Sequence, residues 1–175
     1  MENYLMNTDH LSIRRICASD WKAIQAIWEG VNKTEYAQYD NPKDITDETV
    51  RQRIAKWGSF ENSLEHMFFG VFLEHILIGY IALNQRKCGY EIGYCFHPDY
   101  WGKGYARESI SALLKELKSQ GATCIIAGTA LNNTPSVKLL LSLGFRQIGS
   151  EKVSFYKDSQ GNDIFFDGGI FELRI

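Results

Sequence analysis

The most constraining stretch of the chain is residues 90–130, where the hydrophobic period changes twice. Residues 90–96 are aromatic and apolar, read as a strand, and stop at His97-Pro98. Residues 105–119 carry Ala106, Ile110, Leu113, Leu114 and Leu117 on one helical face, with Gly121 as the stop. Residues 124–130 return to a short buried strand. Strand, helix, strand in this order points to one parallel pair joined by a crossover helix. On either side of the unit, strands follow one another directly, which points to antiparallel pairing. A doubly wound parallel sheet is thereby disfavoured, and the fold class predicted is α/β of the α+β kind, with a mixed sheet.

The flanking segments complete that order. Leu11, Ile13 and Ile16 predict an opening strand. Asp20 is read as the N-cap of a helix bearing Ile24, Ile27, Trp28 and Val31, with Gly30 near its end. After a polar loop with Asn41-Pro42, a second helix is predicted from about Thr46, with Val50, Ile54 and Trp57 at helical spacing and Gly58 as its stop. Residues 67–73 and 76–83 read as a hairpin turning at Glu74-His75. Pro135 marks the first turn of a further helix that carries Val137, Leu140, Leu141 and Leu143 before Gly144. Residues 145–156 and 164–174 predict two closing strands. No repeat or linker interrupts the 175 residues, so 1–175 is read as one domain.

Composition removes several function classes. With 45% hydrophobic and 23% charged residues, the chain has enough apolar surface for one core, and disorder is not expected. Nineteen basic against 21 acidic residues leave no general basic face for nucleic acid. No apolar run approaches the ~20 residues that span a bilayer, and residues 1–11 lack the apolar core of a signal peptide, so no membrane partner is expected. Cys17, Cys88, Cys95 and Cys124 are widely spaced, with no Cys-x-x-Cys pair. They read as four core thiols, and no metal is predicted; Cys95 with His97 makes half a site at most. Free thiols and no export signal point to the cytoplasm.

The chemistry is carried by the turn between the strand and the long helix. Gly102 and Gly104 let an anion approach the backbone, the helix N-terminus supplies free N–H groups, and Lys103 and Arg107 add positive charge. That combination suits a phosphate. There is no Gly-x-x-x-x-Gly-Lys-Ser/Thr loop for a nucleoside triphosphate, and no Gly-x-Gly-x-x-Gly opening a dinucleotide fold.

Trp101-Gly102-Lys103-Gly104-Tyr105-Ala106 resembles the Gln/Arg-x-x-Gly-x-Gly/Ala signature of the GNAT superfamily of acyl-CoA-dependent acyltransferases, with Trp101 in place of Gln or Arg. Asn133-Thr134-Pro135-Ser136, followed by Gly144-Phe145, is similar to the family's second motif. The Trp101 departure and the preceding Glu91-Ile92-Gly93-Tyr94 are similar to the RimJ/RimL-like branch. The resemblance implies a mostly antiparallel central sheet flanked by helices, with one parallel pair splayed into an acyl-CoA cleft. It implies acetyl-CoA as co-substrate, its pyrophosphate held by the turn of Trp101, Gly102, Lys103, Gly104, Tyr105 and Ala106, with Arg107 beside it. Backbone groups of Tyr94, Cys95 and Phe96 would pair with the pantetheine, and Asn133 would bond the same arm.

Acyl transfer to an amine needs a base, oxyanion donors and a leaving thiolate. Glu91, on the central strand just before Gly93, is the candidate base, with an outward or ion-paired role as the alternative reading. Gly93 is expected to mark a bulge that frees backbone N–H groups. The family often places a tyrosine acid where this chain has Leu140, and Ser136 is the candidate acid in its place, with a helix-turn role or a coenzyme contact as alternatives. Cys95 as a nucleophile lacks partner spacing, and His97 reads as a strand-end residue. Tyr36, Tyr39 and Asp167 are candidates for the acceptor wall. The expected function is N-acetyl transfer from acetyl-CoA to a primary amine, a protein N-terminus or a small amine, by direct attack in a ternary complex. The alternative is a non-catalytic acyl-CoA-binding module, and monomer and homodimer stay open.

Overall fold

The structure is a computed structural model that describes residues 5–87 and 89–175. A two-residue strand, β1 (Met6–Asn7), precedes β2 (Leu11–Arg15), whose alternation buries Leu11 and Ile13. Helix α1 (Trp21–Asn32) buries Ile24, Ile27 and Trp28 on one stripe. Helix α2 (Asp47–Gly58) starts after Thr46, with Asp47 and Glu48 in the first turn, where the helix dipole favours carboxylates. Strands β3 (His66–Leu73) and β4 (Ile76–Arg86) form the expected hairpin, with Glu74 left-handed at the turn (φ 53°). Then come β5 (Gly89–Phe96), α3 (Tyr105–Ser119), β6 (Cys124–Ala130) and α4 (Thr134–Ser142). A long hairpin of β7 (Arg146–Lys157) and β8 (Asp163–Arg174) closes the chain.

The eight strands make one sheet in the order β1-β2-β3-β4-β5-β6-β8-β7. Every neighbouring pair is antiparallel except β5 and β6. The mixed, mostly antiparallel sheet with one parallel pair is the architecture that the strand–helix–strand unit predicts. One face is covered by α3 and α4, whose Ile110, Leu113, Leu117 and Leu140 pack on Ile13, Ile81, Ile92 and Ile125. The other carries α1 and α2, whose Ile27, Trp28, Val50 and Ile54 pack on Phe72 and Tyr80. Trp28 Nε1 donates to the Tyr80 hydroxyl (3.0 Å) in that second core.

Three expectations are corrected. Asp20 does not cap α1 with its side chain. Arg14 donates two bonds to its carboxylate (2.8 and 2.9 Å), and the Cys17 N–H donates a third (2.8 Å). Burial pushes the Asp20 carboxyl up, but these bonds outweigh it and leave it below the usual carboxylate range. Gly93 carries no bulge: β4 and β5 pair without a shift from Gly79↔Phe96 to Arg86↔Gly89. A register shift occurs instead between β3 and β4, where Val71 and Phe72 face Gly79 and Leu77 and Ile78 of β4 is the extra residue. Of the four expected core thiols, Cys124 is buried, Cys95 is half-buried and Cys17 is exposed; Cys88 lies outside the described residues.

Candidate active site

The geometry of the β5–β6 pair organises the site. At its start, Gly89 adopts φ +143°, and a Cβ there would lie 1.9 Å from the Cys124 carbonyl oxygen. The two backbones touch, so only glycine fits. Pairing then runs for three rungs, Tyr90↔Ile125, Glu91↔Ile126 and Ile92↔Ala127, and stops. Beyond Ile92 the strands diverge, while β4 still holds β5 and β8 still holds β6.

That divergence exposes backbone groups. The His97 N–H donates to Ile78 O on β4 (2.9 Å), so the alternating odd residues of β5 turn their amides to β4. Even residues turn theirs to β6. Ile92 finds a partner there; Tyr94, two residues on, faces the opening with its N–H and C=O. This supplies the free donors expected of a bulge without any bulge. The Phe96 carbonyl has another partner, because Trp101 Nε1 donates to it (2.7 Å). Cys95 turns its backbone to β4, opposite Tyr80, and its thiol to the α1/α2 face. Burial pushes that thiol up to about 11, in keeping with a core residue rather than a nucleophile.

The turn after β5 is folded tightly. Pro98–Tyr100 is a single 3-10 turn, and His97 Nδ1 accepts from the Asp99 N–H (3.3 Å). A Cβ on Gly30 would meet the His97 ring at 2.9 Å, so His97 is wedged against α1 as a strand-end residue. Gly102 (φ +72°) and Gly104 (φ +86°) take left-handed conformations, and a Cβ on either would meet nothing within 4 Å. The space in front of them is open, and α3 begins at Tyr105. Tyr105 and Ala106 turn onto the core, while Lys103 and Arg107 are exposed. Among the described residues neither cation has an ion-pair partner. The open backbone, the free helix end and two uncompensated cations make an anion cradle.

Over the opening stands the N-terminus of α4. Asn133 Oδ1 accepts from the Ser136 N–H (3.3 Å), so this carboxamide oxygen caps the helix. Ser136 Oγ lies 2.8 Å from the Tyr94 hydroxyl, which joins α4 to β5 across the gap. Burial pushes the Tyr94 phenol up to about 12, against a smaller opposing effect of the Ser136 bond. Leu140, one turn further along α4, is sealed in the core and offers no hydroxyl.

The opposite rim is built of aromatic side chains. Residues Glu35–Tyr39 form a 3-10 turn that packs Tyr36 on Trp101 and Tyr39 on Phe166, with ring centres 5.7 and 5.3 Å apart. Tyr156 on β7 ties this turn down by donating to Ala37 O (3.2 Å). Beside it, Lys43 pairs with Asp40, and an open depression of about 450 Å³ is lined by Thr34, Glu35, Gln38, Lys43 and Tyr156. A larger depression of about 580 Å³, at Glu65, His66 and Arg86, lies at the far end of β4 from the glycine turn. Asp167 is exposed and paired with Lys152 (2.8 Å).

The structure therefore brings Tyr94, Ser136, Asn133 and the turn from Trp101 to Arg107 to one opening. It does not bring Glu91 there. Glu91 sits on the last rung but one of the paired stretch, on the α1/α2 face, in an ion pair with Arg86. At ~3.3 Å per residue it stands about 10 Å from Tyr94 along the strand. Two features escaped sequence reasoning. Gly89 was open to detection, since a glycine at the mouth of a strand often marks close backbone approach. The Tyr94 hydroxyl was open to detection by alternation, which puts it on the face of Ile92 and Phe96. Among the described residues no cluster of three or more His, Cys, Asp or Glu side chains converges to hold a metal ion.

Comparison with known proteins gives a consistent picture. The family model described as an acetyltransferase (GNAT) domain matches residues 10–146. N-acetyltransferase YnaD of Bacillus subtilis strain 168 is 30% identical over 166 residues, covering 92% of this chain and 94% of that one. A GNAT-family acetyltransferase from Bacillus anthracis superposes with a TM-score of 0.76 at 28% identity, covering 97% of both chains. RimL, a ribosomal L7/L12 alpha-N-protein acetyltransferase solved in complex with coenzyme A, superposes with a TM-score of 0.83 at 17% identity, covering 99% of this chain and 98% of that one. At that identity the likeness is one of fold.

Proposed function

The chain belongs to the GNAT acetyltransferase family, and on that premise we propose that it moves an acetyl group from acetyl-CoA to a primary amine within a ternary complex. The observation that carries this reading is the parting of β5 and β6 after Ile92, with the Tyr94 backbone turned into the gap. The coenzyme pyrophosphate sits on the backbone of Gly102, Lys103 and Gly104 at the start of α3, with Lys103 and Arg107 balancing its charge. The pantetheine runs into the gap as an added strand, and the Tyr94 amide is its natural partner. The RimL structure with coenzyme A supports that placement by fold. The acceptor enters from the face of Tyr36, Tyr39 and Trp101. RimL's name makes a protein N-terminus one acceptor class to test, and a small amine the other. No helix among the described residues is long and apolar enough to cross a membrane.

The reaction needs a neutral amine, so the acceptor ammonium first gives one proton to solvent. The amine nitrogen then attacks the thioester carbon and the C–N bond forms; the nitrogen of the tetrahedral intermediate gives a second proton to solvent as the oxyanion collapses and the C–S bond breaks. The products are an amide and the coenzyme thiolate. The thiol has an ordinary pKa near ~8.5, so its anion leaves readily.

Thermal unfolding tests the reading without knowledge of the acceptor. At ~100 times its Kd, a ligand stabilises the native state by about 2.7 kcal/mol, which is roughly 5–10 °C at this size. That shift is expected with acetyl-CoA and CoA, and not with ATP or NAD. No shift at millimolar CoA overturns the proposal. A panel of amines and N-terminal peptides, read by thiol release, then identifies the acceptor; a shift with no release across the panel favours a binding module.

A further inference from the structure

We propose that Tyr94 is a positioning residue that turns the Ser136 hydroxyl toward the departing coenzyme sulfur. The inference rests on the coenzyme reading above and assigns a proton arrangement within that site. The two hydroxyls are 2.8 Å apart, so one donates and the other accepts. Among the described residues Ser136 is the only hydrogen-bond partner of the Tyr94 hydroxyl, and Tyr94 is partly buried against the core. A donor left unmade away from water costs about 1–3 kcal/mol, which favours the arrangement in which Tyr94 donates and Ser136 Oγ accepts. The serine proton is then excluded from that direction. It is left for the open side of the first turn of α4, the side assigned to the coenzyme sulfur, where the serine is half-exposed and the helix's own amide at this position is capped by Asn133.

The direction of the bond is stable to pH. Burial holds the phenol neutral well past the range in which the coenzyme thiol titrates, so Tyr94 stays a donor throughout. A neutral, oriented O–H suits the leaving group. A thiolate does not need a full proton, but an aligned donor lowers the cost of the charge that develops on sulfur. The helix position that would otherwise supply a hydroxyl, Leu140, is buried in the core. The phenol instead arrives from β5 and acts through the serine.

The test is the titration of the bound coenzyme thiol, followed by thiolate absorbance and by the ratio of CoA to desulfo-CoA affinity between pH 6 and 10. In the wild type the bound thiol is expected to titrate about one pH unit below the free thiol, a tenfold preference for the thiolate. Ser136→Ala and Tyr94→Phe are each expected to abolish most of that displacement, and Ser136→Thr to keep it. Desulfo-CoA affinity is measured for each variant as the reference for contacts that do not involve the sulfur, and the displacement is read from the ratio. The double variant is expected to be no worse than either single one. Tyr94→Phe with an unchanged thiol titration overturns the assignment, as does additivity in the double variant. If Tyr94→Phe does not fold, Ser136→Ala with a wild-type titration overturns it equally. Failure of the wild type to bind either coenzyme form overturns the coenzyme reading itself, a distinct outcome.

Discussion

The two ends of the β5–β6 pair are opposites. At Gly89 and Cys124 the backbones are so close that a methyl group has no room. At Tyr94, five residues along, the backbone has no strand beside it on the β6 side. A parallel pair held at one end by contact and left unpaired at the other makes a wedge. The closed end costs the chain a residue choice, and the open end leaves polar groups for a ligand to satisfy. Stability and binding should therefore separate along a single strand, and substitutions at its two ends should fail in different ways.

Gly89→Ala should have the largest effect. The new Cβ would have to occupy space held by the Cys124 carbonyl, at a φ that L residues rarely adopt. Neither the backbone oxygen nor the strand can give without breaking the rungs beside it. A loss of about 3–5 kcal/mol is expected, or failure to fold, measured by urea unfolding. A loss under ~1 kcal/mol would mean that the closed end is not held by contact.

Gly104→Ala should produce the converse pattern. Its Cβ meets nothing within 4 Å, so the cost to folding is only that of a left-handed alanine, about 1–2 kcal/mol. The methyl would point into the space assigned to the pyrophosphate. Coenzyme affinity, measured by calorimetry, should fall about tenfold or more, since 1.4 kcal/mol of lost contact is a factor of ten. Unchanged affinity would move the phosphate away from this turn.

These contrasts explain what could be read from the amino-acid order. Helix α3 and strand β6 fall at the residues their periodicity marks, because both have unbroken apolar patterns and a glycine stop between them. The glycine turn was legible for the same reason: Gly102 and Gly104 are local signals, and both do take positive φ. The insertion of β8 between β6 and β7 was not, because strand order is set by long-range pairing with no local mark. Gly93 misled because glycine in a strand is a generic flag; here it lies in regular register with open space around it. Asp20 misled because a partner six residues earlier, Arg14, took the carboxylate that the helix start was expected to use. Both misses come from pairing that the local rule does not see: Arg14 for Asp20, and the unbroken register with β4 for Gly93.

Tyr94→Phe carries the comparison into pH. Its phenol is raised from 10.0 to about 12 in the folded chain, so the neutral form is the native one. A group raised in this way contributes stability that is full below the unfolded value and is lost as pH rises through the folded one. Between pH 10 and 12 the wild type should lose more stability than Tyr94→Phe. Tyr80 and Cys95 are also raised by burial, but they are common to both proteins and cancel in the difference. Urea midpoints at pH 9 and 11.5 give the measurement, and equal losses in the two proteins would place the phenol in contact with solvent.

The smallest effect is expected at Glu91, and it is the most informative about chemistry. A general base must reach the proton directly or through one water. Glu91 lies on a paired rung, on the face turned away from Ser136, with Arg86 as its partner. Glu91→Gln removes an exposed ion pair, a change of about 0.5 kcal/mol or less. Turnover with the best amine of the panel should stay within about twofold, and the pH–rate profile should keep its position, since RT ln 2 is only about 0.4 kcal/mol of barrier. A hundredfold loss with a displaced acidic limb would show that a water chain crosses from the closed end of the wedge to the open one. The two ends would then be joined in chemistry as well as in fold.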